Sequence, residues 1–506
     1  MHHRALPLLL LLAIGCEGKL IDSNLPGSNQ PPTTNAALAF RFGGSGSELI
    51  ADLVTDPAGN LYLAGTFTGS PDFAPDSGVA VLNSLGGQDG FLAKYSSAGA
   101  LVWVSGIGGS NPETVTSLAR DGAGNLYVGG GFAGATDFDP GSGVQVLNSV
   151  GGEDGFVAKY SPSGALVWAR RFGGPNADEV ASLAADAAGN VYAVGSFSGQ
   201  ANALPTAGPT ILSDGTPADG FVLALDPAGA VRWAIPVGGN QDDAAHAVAL
   251  ASTGNLVVAG TFHGSADFSR NGAPNRLVAQ GGADAFLATY SSLGVLQWVR
   301  DIGGLGEETI AGGGLSLDAQ DGAAVLGSFS GAVDFDPGPG TANRNSISGA
   351  DLFVARYDVG GIFGSVLTVG GGQGTVRGVR LLADLDGSVL LTGWFSGAID
   401  FDPGAGLHSI TSLGVNGATD AYVARYSAAG SFLWVSRFGE STTVGDRSNS
   451  GGALALDPAD KPLVAGRFFG SPDFDPGSSA LRLTSLGAAD AFVVKLTAAG
   501  ALATTP

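Results

Sequence analysis

NLYVGGGFAGATDFDPGSG occupies residues 125–143, and both halves of it return along the chain. The phenylalanine two positions after a glycine recurs as Phe67, Phe132, Phe197, Phe262, Phe329, Phe395 and Phe468, at spacings of 65, 65, 65, 67, 66 and 73. An Asp-x-aromatic marker keeps step at Asp89, Asp154, Asp219, Asp284, Asp351, Asp420 and Asp490. Self-similarity at a fixed period is the signature of a repeat architecture, so the 506 residues are read as seven copies of one unit.

Each copy carries four strand signals, here named a to d. In the second unit they are VTSLARD, NLYVGGGF, GFVAKYS and ALVWARRF. DGAGN joins a to b and SPSGA joins c to d, as short hairpin turns do. Four antiparallel strands repeated seven times predict an all-β fold, a seven-bladed β-propeller of four-stranded antiparallel blades. Side-chain size agrees. Strand a is built of small residues, whereas strand d carries Trp103, Trp168, Trp233, Trp298, Phe363 and Trp434, so bulk increases toward the rim as a wedge requires. The tryptophans are therefore read as packing.

The two ends match each other. LAFRFGG at 38–44 reads as a strand d with its loop, and the last unit fades after its strand c (FVVKLT). The N-terminal strand is expected to complete the seventh blade and leave no open edge there. The pattern D-x-x-G-N-x-Y-x-x-G-x-F, then DFDPG, then D-x-F-x-A-K/R-Y resembles the seven-bladed β-propeller repeat of bacterial surface proteins over residues 38–506. Asp56 to Asn60 and Asp89 to Tyr95 carry it in the first unit. The resemblance implies a fold and a surface location, and it brings no catalytic residues.

The b–c and d–a loops of a propeller emerge on one face. That face should collect the DFDP pairs Asp137 and Asp139, Asp334 and Asp336, Asp400 and Asp402, and Asp473 and Asp475, with Glu48, Glu113, Glu179, Asp243 and Glu308 from the d–a loops. Asp-x-Asp-Pro-Gly has a turn reading: Asp accepts backbone N–H groups, Pro fixes φ and Gly admits positive φ. It also has a Ca²⁺ reading, because a hard cation takes several oxygens. A third acid is missing from the string, and the first, third and fourth units break it with Ala74, QANALP and Ser269. In the fourth unit alone, His246 and His263 have two readings: two exposed histidines on an acidic surface, or a transition-metal pair, since an even hairpin turn would set His246 opposite Thr261 and diagonal to His263, whereas a bulged turn would put the rings on opposite faces.

Residues 1–15 read as a lipoprotein signal peptide. His2, His3 and Arg4 precede a short apolar run that ends in Leu12-Ala13-Ile14-Gly15-Cys16, which resembles the bacterial lipoprotein signal. Cys16, the one cysteine of the chain, would be lipidated, and 16–37 would form a polar tether reaching roughly 25 Å. The expected location is the bacterial envelope, at the outer membrane or cell surface, with contact to the membrane through lipid only. A net charge of −22 argues against nucleic acid, whose phosphates need a basic surface.

The reading of function is a non-catalytic binding or scaffold module acting through the acidic loop face on an unknown protein or glycan. It is expected to be monomeric and to need no cofactor, with Ca²⁺ the one candidate. The alternatives are a polysaccharide-directed hydrolase or lyase, and a purely structural envelope component. No G-x-S-x-G or H-E-x-x-H motif occurs, which leaves an enzyme little to stand on. Departures from the repeat in adjacent units would favour binding or catalysis over a structural array.

Overall fold

The computed structural model describes residues 38–503 except 76–77, 140, 142, 203–209, 213–217, 270–274, 372, 415–416, 441–447, 476 and 478–479. The expected signal, Cys16 and tether lie outside the described residues.

The described chain is all-β, with no helix, and has the form of a β-propeller. Its strands pair antiparallel in fours. Unit one runs Glu48–Thr55, Leu61–Thr68, Gln88–Tyr95 and Leu101–Gly109. Unit four runs Ala244–Leu250, Leu256–Asp267, Arg276–Tyr290 and Leu296–Gly304. In the last unit, strands a to c are Ser450–Leu456, Pro462–Phe468 and Asp490–Lys495, and Ala39–Phe42 pairs with the third as strand d.

Each strand a neighbours strand a of the next unit, and that of the last unit neighbours that of the first. There Thr55 Oγ1 donates to the Leu456 carbonyl at 2.9 Å, and Phe40 and Phe42 share one buried cluster with Leu61, Phe67 and Ala453. Strand a can approach its neighbours so closely because its side chains are small. It also carries a bulge in every unit, between Ile50 and Asp52 in the first and Ala245 and Ala247 in the fourth. A bulge adds twist and re-aims one side chain. Unit five departs most: four residues, Ala311 to Gly314, lie between the paired Ile310 and Leu315.

Between units the core is apolar and aromatic, and the outer tryptophans belong to it. Trp168 Nε1 donates to the Pro227 carbonyl in the next unit's c–d turn, and Trp233 and Trp434 do the same to Ser292 and Ala498. Gly229, at φ 77°, lays that turn on the Trp168 ring; a Cβ there would meet the indole at 2.9 Å. Positive φ and close approach together demand glycine. The repeated c–d turn thus seats the rim tryptophans on the next unit.

Candidate functional site

The b–c and d–a loops do share a face, because they pair with each other across units. Gly108 at the end of unit one pairs with Asp137 of unit two, Gly303 with Asp334, and Gly439 with Asp473. Each DFDP loop is thereby hooked onto a glycine at the end of the preceding unit's strand d, followed by a second glycine except at Gly439-Glu440.

Within the loop the two aspartates have separate tasks. Oδ1 of Asp137 accepts the N–H groups of Asp139 (3.0 Å) and Gln145 (2.9 Å). Asp334, Asp400 and Asp473 accept from the same two relative positions, as do Asp72 and Asp267 in units that lack the full string. The first Asp therefore closes the loop. The second makes a tight Asx turn: Asp139, Asp336, Asp402 and Asp475 accept from Gly141, Gly338, Gly404 and Gly477 at 2.8–2.9 Å. The intervening Phe138, Phe335, Phe401 and Phe474 are fully buried. A tyrosine at the end of strand c fastens the loop: Tyr160 Oη donates to the Phe138 carbonyl at 3.0 Å, and Tyr95, Tyr290, Tyr357 and Tyr426 repeat the bond. That tie is legible only as a Tyr in the K/R-Y pair, and its partner carbonyl leaves no mark in sequence.

The d–a acids sit elsewhere than expected. Glu48, Glu113, Asp243 and Glu308 are buried at the seams between units, not displayed on the face. In unit three the equivalent residue is Asp178, paired opposite Phe197 as Glu48 is opposite Phe67; Glu179 is one position off. Each of these acids approaches the D-x-F aspartate of the preceding unit, and the Gly-Gly stretch leaves room for both: a Cβ at Gly173 would collide with Asp154 and Asp178 alike. The D-x-F aspartates are buried too and accept a backbone N–H from the approach to strand c, such as Leu85 to Asp89 and Val150 to Asp154. Burial, and in several seams the neighbouring carboxylate, pushes Glu48 up to about 8, Glu113 and Asp178 to about 7, and Glu308 to about 8.

Histidines 246 and 263 do not form the expected cross-strand pair. Thr261 faces Ala244, and His246 is the unpaired bulge residue between Ala245 and Ala247. The bulge lies in strand a and not in the turn, so it shifts the register that the even-turn argument assumed. His263 pairs with Ala283, donates its backbone N–H to Asp243 Oδ1 at 2.8 Å, and its Nδ1 contacts the Asp242 carbonyl. Burial holds the His246 imidazole below its usual value. Among the described residues, no group of three or more His, Cys, Asp or Glu is arranged to hold a metal ion.

What the face offers a ligand is a set of clefts where one unit's outer strands meet the next unit's DFDP loop. The cleft between units four and five has a volume of about 880 Å³ and is walled by Asp301, Gln280, Asp336, Pro337, Gly340 and Phe363, among others. The cleft between units six and seven is smaller, about 430 Å³, and has Arg437 where the larger one has Asp301. Apolar side chains stand exposed around these loops: Val79, Val144 and Leu407 at the b–c loop tips, Leu85 and Ile347 on the approach to strand c, and Leu305 in the loop after strand d of unit four.

Comparison with known proteins agrees with the fold. A β-propeller repeat family matches residues 167–196, which run from strand d of unit two to strand b of unit three. The regulatory protein FlaEY of Caulobacter vibrioides is 26% identical over 473 residues, covering 89% of this chain and 46% of its own length. An uncharacterized WD repeat-containing protein of Acanthamoeba polyphaga mimivirus is 21% identical, covering 79% of this chain and 34% of its own. The chain thus spans less than half the length of these curated relatives. Among solved structures, an ulvan lyase bound to its saccharide covers 93% of this chain and 97% of its own at 12% identity, with a TM-score of 0.45. A Bacteroides caccae protein of unknown function has a TM-score of 0.31.

Proposed function

We propose that the protein is a non-catalytic binding module that takes a donor-rich ligand, a glycan in the first place, in the inter-unit clefts of its loop-bearing face. The observation that carries this is the location of the departures from the repeat. Most DFDP and D-x-F acids are committed to turns and seams, repeated from unit to unit as scaffolding requires. Units four and five keep those loop bonds but carry further departures side by side. Unit four has Asp301 on strand d, Ser269 in the loop and histidines at 246 and 263. Unit five has the wide bulge of strand a, and in both units the strand-c segment runs to 15 residues. The cleft of about 880 Å³ lies between those two units. Its carboxylates are acceptors, and the one cation in its lining, Arg300, is tied to the Gly361, Gly360 and Val299 carbonyls, which suits a ligand with hydroxyls or ammonium groups.

Attachment to the bacterial envelope through Cys16 is part of this proposal, and with it the protein would hold its ligand at a surface. The decisive experiment is a glycan and protein pull-down with the purified protein, with and without Ca²⁺, beside an Asp336→Ala and Phe363→Ala double variant. Retention of a glycan by the wild type and loss in the variant supports the reading. Equal retention by both refutes the cleft as the site. Cys16→Ala should release the protein from membranes, and unchanged partition would refute the anchor.

A further inference from the structure

The internal repeat supplies its own reference for Asp301. The residue facing the aromatic of D-x-F on strand d is Arg41 in the last unit, Arg171 in the second and Arg437 in the sixth. Each arginine is ion-paired with its unit's D-x-F aspartate: Arg41 with Asp490 at 2.8 Å, Arg171 with Asp154, and Arg437 with Asp420 at 3.8 Å. In unit four the same position, facing Phe286, is Asp301, and its neighbour is Asp284. A cation in three units is thus an anion in the fourth, beside an aspartate that is fully buried.

Two ionised carboxylates in contact, one fully buried and the other half-buried at a cleft wall, repel each other. The polar atoms around them do not relieve this. Asp284 Oδ2 accepts the Gln280 N–H at 2.9 Å, and the Gln280 side chain bonds Asp301, but Oδ1 of each aspartate is buried with no hydrogen-bond partner. An unpartnered Oδ1 is not peculiar to this pair, since Asp89 and Asp154 carry one too; what sets unit four apart is that Asp284 faces a second carboxylate, itself bonded by Gln280 and the Ile302 backbone, and one shared proton satisfies the two facing acceptors. The other groups facing the pair are mostly acidic. Glu308, on strand a of unit five, is buried with Oε1 also unpartnered, and the exposed Glu307 precedes it. His263 on strand b opposes the rise of Asp284, as the smallest of the influences on it. Tyr357 from unit five also senses Asp301, but its hydroxyl donates to the Phe335 carbonyl and stays protonated. Arg300, in the same cleft, has its guanidinium tied to the Gly361, Gly360 and Val299 carbonyls.

We propose that Asp284 and Asp301 hold one proton between them, and that this proton regulates the cleft between units four and five. With it bound, the pair carries one negative charge at the cleft wall; with it lost, two. Asp301 lines the cleft, so the charge change is presented to whatever occupies it. The regulatory consequence rests on the binding reading above, whereas the shared proton does not.

The proton is tested without any ligand, by following thermal unfolding of the purified protein from about pH 5 to about pH 8 for wild type, D301N and D301R. Asp301 is pushed up to about 7, by burial first and then by Asp284. The folded state therefore retains a proton that the unfolded chain releases above its ordinary carboxylate value. Wild-type stability is lost, relative to either variant, as pH rises toward neutrality. The ratio of wild-type to D301N unfolding constants should change by up to about tenfold per pH unit across that window. D301R restores the ion pair of the three other units and keeps the comparison open if D301N folds poorly. Parallel pH profiles for wild type and variant overturn the proposal. A shifted profile together with failed glycan retention would uphold the proton and reject the binding reading.

Discussion

Replacing Asp137 with alanine separates the turn reading of the DFDP loop from the calcium reading. The carboxylate's Oδ1 holds two backbone N–H groups, of Asp139 at 3.0 Å and Gln145 at 2.9 Å. Hydrogen bonds to a charged acceptor contribute roughly 1.5–3 kcal/mol each, but this loop is half-exposed and water can re-solvate the freed amides, so about 1–2 kcal/mol in total is expected. Asp139→Ala removes a single bond, to Gly141 at 2.9 Å on the exposed side, and should cost below about 1 kcal/mol. Amide hydrogen exchange is the suitable assay because the effect is local. The Gln145 amide should exchange about 5–30-fold faster in Asp137→Ala, with the inner strands unchanged. Both variants are also measured with EDTA and with added Ca²⁺. A bound ion would make the two substitutions equally costly and abolish a Ca²⁺-dependent shift in each. Unchanged exchange at Gln145 would refute the loop-closing role.

Three further outcomes are expected. Glu48 is raised from 4.5 to about 8, so its folded form keeps a proton that the unfolded chain releases; wild-type stability falls between those values as pH rises, and Glu48→Gln should flatten that fall in thermal melts. Tyr160→Phe strands the Phe138 carbonyl and should cost about 1–2 kcal/mol by denaturant titration, whereas Tyr160→Leu adds a packing loss. Phe42, fully buried against Phe73 and Phe91 of unit one, joins the N-terminal strand to the first unit; Phe42→Ala should cost about 3–5 kcal/mol, and a loss below about 1 kcal/mol would deny that the ends of the chain support each other.

The all-β propeller was readable from one chain because repetition multiplies weak signals. A single GxF or D-x-F is common, but seven in step leave little choice of architecture. The match of LAFRFGG to the other strand d segments likewise anticipated that Ala39–Phe42 would pair with Asp490–Lys495. Turn chemistry was legible at the DFDP loops because an Asx turn is made by residues two apart in the chain.

Only the tertiary structure decided what the acids do. Counting carboxylates placed Glu48, Glu113 and Glu308 on the face, yet the hook between Gly-Gly and the next DFDP loop folds them under it. Their pairing with D-x-F aspartates joins residues from different units, and no spacing within a unit encodes that. The histidine geometry failed for a related reason: one extra residue in strand a of unit four changes which side chain faces which, and small residues tolerate a bulge without announcing it. Asp301 stands between the two cases. Its exchange for Arg41, Arg171 and Arg437 is visible in the aligned strands, but only burial beside Asp284 turns that substitution into a demand for a proton. Sequence fixes local periodicity and local turns because those depend on neighbours along the chain; charge, protonation and access depend on neighbours brought in by the ring.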